Sequence, residues 1–186
     1  ESAEWFSGKI LSYEKITAIH KILQNQMENI VLIGMPGSGK TTVGKLLAEK
    51  AGKTFVDADA HLVQEAEKTI PEIFADCGEA GFRAFETEVL AELGKKSGLV
   101  IATGGGCVTR ECNYPLLHQN GTLFWLQRDL AQLPVDGRPL SQSTDLAKMY
   151  ETRKSMYEHF ADHTVDNNSD PQMAVNAIVK ILEETV

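Results

Sequence analysis

The residues from 34 to 42 carry the most specific chemical pattern in this chain. They read GMPGSGKTT, which fits G-x-x-x-x-G-K-[ST] at Gly34, Gly39, Lys40 and Thr41. Loops of this pattern curl so that their N–H groups, together with the positive end of the following helix, surround a β-phosphate. The lysine then reaches the β- and γ-phosphates, and the hydroxyl after it ligates Mg²⁺. The pattern therefore predicts binding of a nucleoside triphosphate and magnesium.

The residues on either side of this segment supply the context that the pattern requires. Residues 30 to 33 form an apolar run and residues 43 to 51 an amphipathic stretch, so the motif lies between a strand and a helix. The alternative is a glycine-rich turn that only caps an ordinary helix. The candidate contacts to the phosphates of the nucleotide are Gly34, Pro36, Gly37, Ser38, Gly39, Lys40, Thr41 and Thr42.

Two carboxylates one residue apart end the next β-prone run. If the backbone stays extended through Asp57 and Asp59, both side chains point to the same side, toward the nucleotide. One would then serve the metal ion and the other an acceptor hydroxyl. The alternative is that Asp59 only caps the following helix.

Three further elements could bind a ligand. Gly104, Gly105 and Gly106 follow an apolar run and offer bare backbone amides, although a tight turn without function would look the same. Arg83 and Arg153 lie in helical patterns, where a solvated or salt-bridged arginine is the ordinary alternative.

Helices and strands that alternate along the chain must position these groups. Such alternation predicts an α/β fold in which a parallel sheet with right-handed crossovers is covered by helices on both faces. Ligands bind beyond the carboxyl ends of such strands. Pro71 and Pro171 are expected to begin helices and Gly78 to interrupt one. The predicted strands are residues 30 to 33, 53 to 56, 99 to 102, 122 to 126 and 163 to 165.

Composition narrows the class of partner. A formal charge of −8 without clustered Lys or Arg argues against a surface for nucleic acid or anionic membranes. No stretch is long and apolar enough to span a membrane, and residues 1 to 26 lack a signal-peptide pattern. The 3 cysteines form no C-x-x-C pair, so reduced thiols are expected. We expect a soluble, cytoplasmic protein.

The remaining sequence discriminates between classes of phosphate-loop protein. The chain has no N-K-x-D element, which disfavours a GTPase, and no apolar strand that ends in Asp-Glu, which disfavours a motor ATPase. A small-molecule kinase needs a metal site, an acceptor pocket, local cations and a lid. Two alternatives stay open: a kinase for a sugar acid such as gluconate, and a non-catalytic nucleotide-binding module.

Taken in order, several segments resemble those of shikimate kinases over residues 29 to 168. The resemblance implies a P-loop kinase fold with five parallel strands, a lid and a small helical subdomain for the acceptor. It also implies phosphoryl transfer from MgATP to the 3-hydroxyl of shikimate, in the pathway to aromatic amino acids. The matching segments are GMPGSGKTT (34 to 42), FVDAD (55 to 59), IPEIFADCGEAGFRAFE (70 to 86), ATGGG (102 to 106), DGRPL (136 to 140) and ETRKSMYEHFAD (151 to 162).

The resemblance also implies roles for individual residues on the acceptor side. Asp59 would hold the acceptor hydroxyl, and Arg83 and Arg153 would bind the shikimate carboxylate. The amides of residues 104 to 106 would line the pocket. Glu86 lies one helical turn after Arg83 and would orient its guanidinium.

On the nucleotide side, charge that develops on the transferring phosphoryl group would be met by three groups. These are Lys40, a Mg²⁺ ion held by Thr41 and by Asp57 through water, and the lid residue Arg138. Two positions depart from the family pattern. Ala131 stands where an arginine often packs on adenine, and residues 167 to 170 lack a basic residue. We therefore expect adenine to be held by backbone and apolar contacts.

Residues 1 to 26 lie outside the kinase pattern, so the predicted kinase domain is residues 27 to 186. Ile16, Ile19, Ile22 and Leu23 give the extension one apolar helical face. The segment AEWFSGKILSYEKI is weakly similar to the carboxyl-terminal end of shikimate dehydrogenases. The extension is thus either the remnant of a fused or docked dehydrogenase or an unrelated addition. We expect the kinase domain to be monomeric.

Overall fold

A single parallel sheet organises the protein. The computed structural model describes residues 15–17, 27–133 and 143–184. Its five strands run in the spatial order β2-β3-β1-β4-β5, and all four strand pairs are parallel. The strands are β1 (Asn29–Ile33), β2 (Thr54–Asp57), β3 (Leu99–Ala102), β4 (Gly121–Gln127) and β5 (His163–Asp166).

Helices connect successive strands, as a parallel sheet requires. Among the described residues, short 3₁₀ helices cover Cys107–Thr109 and Leu130–Gln132. The α-helices are α1 (Lys40–Ala51), α2 (Ala58–Ala66), α3 (Ile70–Lys95), α4 (Asn113–His118), α5 (Ser143–Phe160) and α6 (Pro171–Glu184).

The central strand β1 is buried on both faces. Its side chains alternate between two apolar clusters, because neighbouring residues of a strand point to opposite sides of the sheet. Ile30 and Leu32 pack in the cluster that contains α1 and α6. Val31 and Ile33 pack in the cluster formed with α2, α3, α4 and α5. The predicted two-sided α/β architecture is confirmed.

Local sequence signals explain where the helices begin and bend. Thr69 caps α3 by a reciprocal capping box with Glu72, and a proline follows in the first turn. Gly78 interrupts α3 with φ 66° and ψ −175°, as predicted. Pro171 begins α6, also as predicted.

The strands place their carboxyl ends along one edge. β1 runs into the phosphate-binding segment and β3 into the glycine triplet, and β1 pairs with β3 and β4 in register through Val31, Ile101 and Leu123. Within the described residues, no helix is long and apolar enough to cross a membrane. Of the extension, only residues 15–17 are described, and they are helical and exposed. The other residues of its predicted apolar face lie outside the described residues.

Candidate active site

The phosphate loop adopts a backbone conformation that its glycines permit. Gly34, Gly37 and Gly39 have φ of 146°, 83° and 92°, values that side chains rarely allow. Gly39 is the N-cap of α1, and no side chain caps that helix. The N–H groups of the first turn are thereby left for a ligand.

Lys40 is held over this loop. Its side chain is buried, and Nζ donates to the carbonyl oxygens of Gly34 at 2.8 Å and Met35 at 2.9 Å. These contacts hold the ammonium group at the mouth of the loop, where the pattern predicts the phosphates.

Thr41 and Asp57 form the pair of oxygen donors expected for magnesium. Thr41 Oγ1 donates to Asp57 Oδ2 at 2.9 Å, while Asp57 Oδ1 accepts from the Ala60 N–H at 3.2 Å. One carboxylate and one hydroxyl suit Mg²⁺, which takes its remaining ligands from phosphate and water. Among the described residues, no group of three or more Asp, Glu, His or Cys forms a metal site.

The prediction that an extended backbone carries the Asp57 and Asp59 carboxylates to the same side is wrong. The backbone does not stay extended through both residues. Asp57 itself is the N-cap of α2, and the chain turns helical at Ala58, so Asp59 lies in the first helical turn. The carboxylate that accepts the capping N–H is that of Asp57, not that of Asp59.

Asp59 and Glu86 nevertheless converge on one glycine. A Cβ on Gly104 would lie 2.6 Å from Asp59 Oδ1 and 2.7 Å from Glu86 Oε1. Gly104 is not one of the described glycines with positive φ, so its backbone conformation does not require a glycine. The close approach of the two carboxylates does, because they leave no room for a Cβ. The glycine thus lets two carboxylates approach the backbone that follows β3.

Arg83 and Glu86 form a buried ion pair. Arg83 Nη1 lies 2.8 Å from Glu86 Oε2, and the guanidinium packs against Gly106. Burial of the Glu86 carboxylate raises its pKa, and the nearby Arg83 charge offsets only part of that effect. Glu86 Oε1 is buried and has no hydrogen-bond partner among the described residues.

The helix α5 contacts the middle glycine of the triplet. Arg153 Nη1 donates to the Gly105 carbonyl at 3.1 Å, and the Tyr157 hydroxyl donates to the same oxygen at 2.5 Å. Tyr157 also stacks on Trp125, with ring centroids 5.6 Å apart. Burial raises the pKa of Tyr157, which keeps the hydroxyl protonated as a donor. Arg153 is thus placed beside the same glycine segment as Arg83.

The structure brings together most of the predicted site residues and adds three. Asn167, after β5, donates from Nδ2 to the Ser38 carbonyl at 2.7 Å. Arg128 lies near it beside Gly39, and Tyr157 contacts the Gly105 carbonyl. Their polar character directly after strands or on α5 was the only sequence signal. Ala131 lies in a 3₁₀ helix after β4. Arg138 lies outside the described residues.

A parallel five-stranded sheet with this phosphate loop, a Thr-Asp pair and a facing pocket of carboxylates and arginines defines a P-loop kinase. A family model described as "SKI: Shikimate kinase" matches residues 36 to 183. The chain belongs to the shikimate kinase family.

Known relatives agree with this assignment along nearly the whole chain. A shikimate kinase of Synechococcus sp. (strain CC9605) is 41% identical over 95% of this chain and 92% of its own length. A second shikimate kinase, of Parasynechococcus marenigrum, is 44% identical over 83% of this chain and 85% of its own length.

Solved structures match as well. A shikimate kinase of Acinetobacter baumannii in complex with shikimate is 33% identical, with a TM-score of 0.82, over 89% of this chain and 98% of that chain. A sugar kinase of Janibacter sp. shares the fold at 17% identity with a TM-score of 0.55, over 84% of this chain and 95% of that chain.

Proposed function

We propose that this protein transfers the γ-phosphoryl group of ATP to the 3-hydroxyl of shikimate, which forms shikimate 3-phosphate and ADP. This reaction belongs to the biosynthesis of chorismate and the aromatic amino acids. One observation carries the proposal. Asp59, Glu86 and Arg83 converge on the glycines that follow β3, at the sheet edge that also bears the phosphate loop.

On the donor side, residues of the phosphate loop bind and orient ATP. The first-turn N–H groups of α1 face the β-phosphate, and Lys40 places a positive charge at the transferring group. Mg²⁺ supplies further positive charge at the β- and γ-phosphate oxygens when it is bound. Thr41 and Asp57 would hold it, Asp57 through water, since their oxygens already lie 2.9 Å apart. The lid residue Arg138 is proposed as a further cation.

On the acceptor side, charge complementarity fixes the substrate. Arg83 and Arg153 bind the shikimate carboxylate, because guanidinium groups pair well with a planar carboxylate. Glu86 orients Arg83, and the backbone of residues 104 to 106 forms the wall of the pocket. Asp59 accepts a hydrogen bond from the 3-hydroxyl and so aligns the attacking oxygen.

In the transfer itself, the 3-hydroxyl oxygen forms a bond to the γ-phosphorus as the bond to the β,γ-bridging oxygen breaks. The hydroxyl proton passes to Asp59 and then to solvent, and the electron pair of the broken bond remains on ADP. Positioning and electrostatics carry most of the catalysis in such a reaction. We further propose that the kinase domain, residues 27 to 186, acts as a monomer in the cytoplasm, with or without a dehydrogenase partner.

A coupled assay of ADP release tests the proposal. The protein is offered ATP and Mg²⁺ with shikimate, with gluconate, or without acceptor. Turnover that depends on shikimate is expected, and gluconate should give no more than the background without acceptor. Turnover only with gluconate would favour the sugar-acid alternative. No turnover with either, in a protein that binds ATP, would favour the non-catalytic module.

A further inference from the structure

Arg128 lies directly after β4 and reaches the start of the phosphate-loop helix. Its Nη1 is 3.8 Å from the position that a Cβ on Gly39 would take. Gly39 is the N-cap of α1, so the guanidinium lies beside the positive end of that helix. No step of the reaction described above uses this arginine.

The charge of Arg128 is not compensated within the described part of the chain. Its guanidinium pairs there with no carboxylate, in contrast to Arg83, which pairs with Glu86. Its Nε is also buried without a hydrogen-bond partner among those residues. Both features lower the stability of the folded protein: the Arg128 guanidinium is repelled by the positive end of α1, and its Nε–H lacks a hydrogen bond to any described residue. A bound anion would relieve both costs.

The loops after β4 and β5 hold Arg128 in place. The Asp129 N–H donates to Asn168 Oδ1 at 2.7 Å, and the Asn167 N–H donates to the Gln127 carbonyl at 2.8 Å. Arg128 also lines a cavity of about 220 Å³ that reaches from Met35 to Asn168. The backbone around Arg128 is therefore held in place, and its side chain lies at an open space next to the phosphate loop.

The strand order indicates which part of a nucleotide would meet this cation. Asp59 and Gly104, where the γ-phosphate must meet the acceptor, follow β2 and β3 on one side of β1. Arg128 follows β4 on the other side. A nucleotide whose β-phosphate lies in the loop after β1 thus extends its α-phosphate toward Arg128.

We propose that Arg128 binds the α-phosphate of ATP and ADP. Arg128, at the end of β4, thereby places a cation on the nucleotide side of the site. Ala131 has no charge and cannot supply one. This inference rests on the proposed function in that ATP is the phosphoryl donor and the acceptor lies at Asp59 and Gly104.

Calorimetric titration of ADP and of ATP, without shikimate, tests the proposal. Arg128→Met should weaken both nucleotides by the same factor, about tenfold or more, because both carry the α-phosphate. Arg128→Lys should recover part of the affinity. The KM for shikimate should not change. Adenosine has no phosphate, so its Kd should be the same for wild type and Arg128→Met.

Thermal unfolding of the nucleotide-free proteins separates this role from a structural one. Lys50 lies in the last turn of α1 and provides a matched control, since a cation is favourable at that end of the helix. Lys50→Met should lower Tm and leave ADP affinity unchanged, whereas Arg128→Met should leave Tm unchanged or raise it.

Three results would overturn the inference. The first is unchanged ADP affinity in Arg128→Met. The second is a lower Tm in that variant together with no recovery by lysine, which would mark a packing role. The third is a higher Kd of adenosine for Arg128→Met than for wild type. If wild type itself fails to bind ADP, the proposed function falls along with the inference.

Discussion

Arg83 and Glu86 lie one turn apart on α3 and form a 2.8 Å ion pair in which the side chains are 11% and 3% exposed. Burial this deep disfavours the charged form of the Glu86 carboxyl, and the cation fixed beside it offsets part of that cost. The pair therefore serves the pocket in two ways. It holds the guanidinium toward the glycine segment, and it makes the stability of this region depend on pH.

The first prediction concerns that dependence. Burial raises the pKa of Glu86 above its ordinary value of 4.5, so the folded state binds more protons than the unfolded state between the two values. The contribution of Glu86 to stability is then largest at low pH and falls as the pH rises through the raised pKa. The difference in unfolding free energy, wild type minus Glu86→Gln, should fall across this window.

Denaturant titrations from pH 4 to pH 8 would measure this difference. Glu92→Gln is a suitable control, because Glu92 is exposed and the pKa of its carboxyl is lowered by its hydrogen bond with Lys96. Its difference from wild type should not fall with rising pH. A flat difference for Glu86→Gln would mean that Glu86 titrates normally in the folded protein.

The second prediction tests the acceptor pocket. Arg83→Ala and Arg153→Ala should each weaken shikimate binding by about 2–5 kcal/mol, as expected when one partner of a buried charge pair is lost. ATP binding should change little. Lys154→Ala, which removes an exposed charge next to Arg153 on α5, should change neither. Shikimate titrations that give wild-type affinity for both arginine variants would place the carboxylate elsewhere.

The third prediction concerns Lys40. Lys40→Met should lower kcat by a factor on the order of 10²–10³ or more, because it removes a fixed cation from the developing charge. Circular dichroism and Tm should show a folded protein. Lys180→Met is the matched control, since Lys180 lies on α6 with 75% of its side chain exposed. Near-normal turnover of Lys40→Met would contradict the proposed phosphoryl transfer.

The fourth prediction compares two glycines. An alanine at Gly104 would push its Cβ against Asp59 and Glu86, so kcat/KM for shikimate should fall. Gly52 has φ 65° and nothing within 4 Å of a Cβ, so Gly52→Ala should cost about 1 kcal/mol of stability through backbone strain alone. Steady-state kinetics and Tm of both variants give the comparison. Equal kinetic losses would mean that the Gly104 contact has no special role.

The fifth prediction concerns the extension. A chain that begins at Met27 should keep kcat and both KM values, because every proposed site residue follows that position. It also keeps the Met27 carbonyl, which accepts from the Gly98 N–H at 2.8 Å. Kinetics of the shortened and full chains under identical conditions decide the matter. A tenfold loss of kcat in a folded shortened protein would place the extension within the catalytic unit.

Sequence was sufficient for features that depend on neighbouring residues. Strands β1, β3 and β4 contain apolar runs, and the Arg83–Glu86 pair follows from helical spacing. The conformation of Asp57 and Asp59 was not predictable from alternation, because the capping of Ala60 N–H by Asp57 decides where the strand ends. The contacts of Arg128 and Asn167 join segments that are far apart in the chain. Their positions depend on how the strands are ordered in the sheet, and no local motif encodes that order.

The hydrogen bond from Asn167 to the Ser38 carbonyl spans 129 positions of the chain. During synthesis, the phosphate loop therefore leaves the ribosome long before Asn167. The hydrogen bond between them can form only after β5 has been synthesised and has docked. Contacts of such long sequence separation form slowly, since loop closure comes before any gain in free energy. A nucleotide that binds the completed phosphate loop stabilises the native state by mass action.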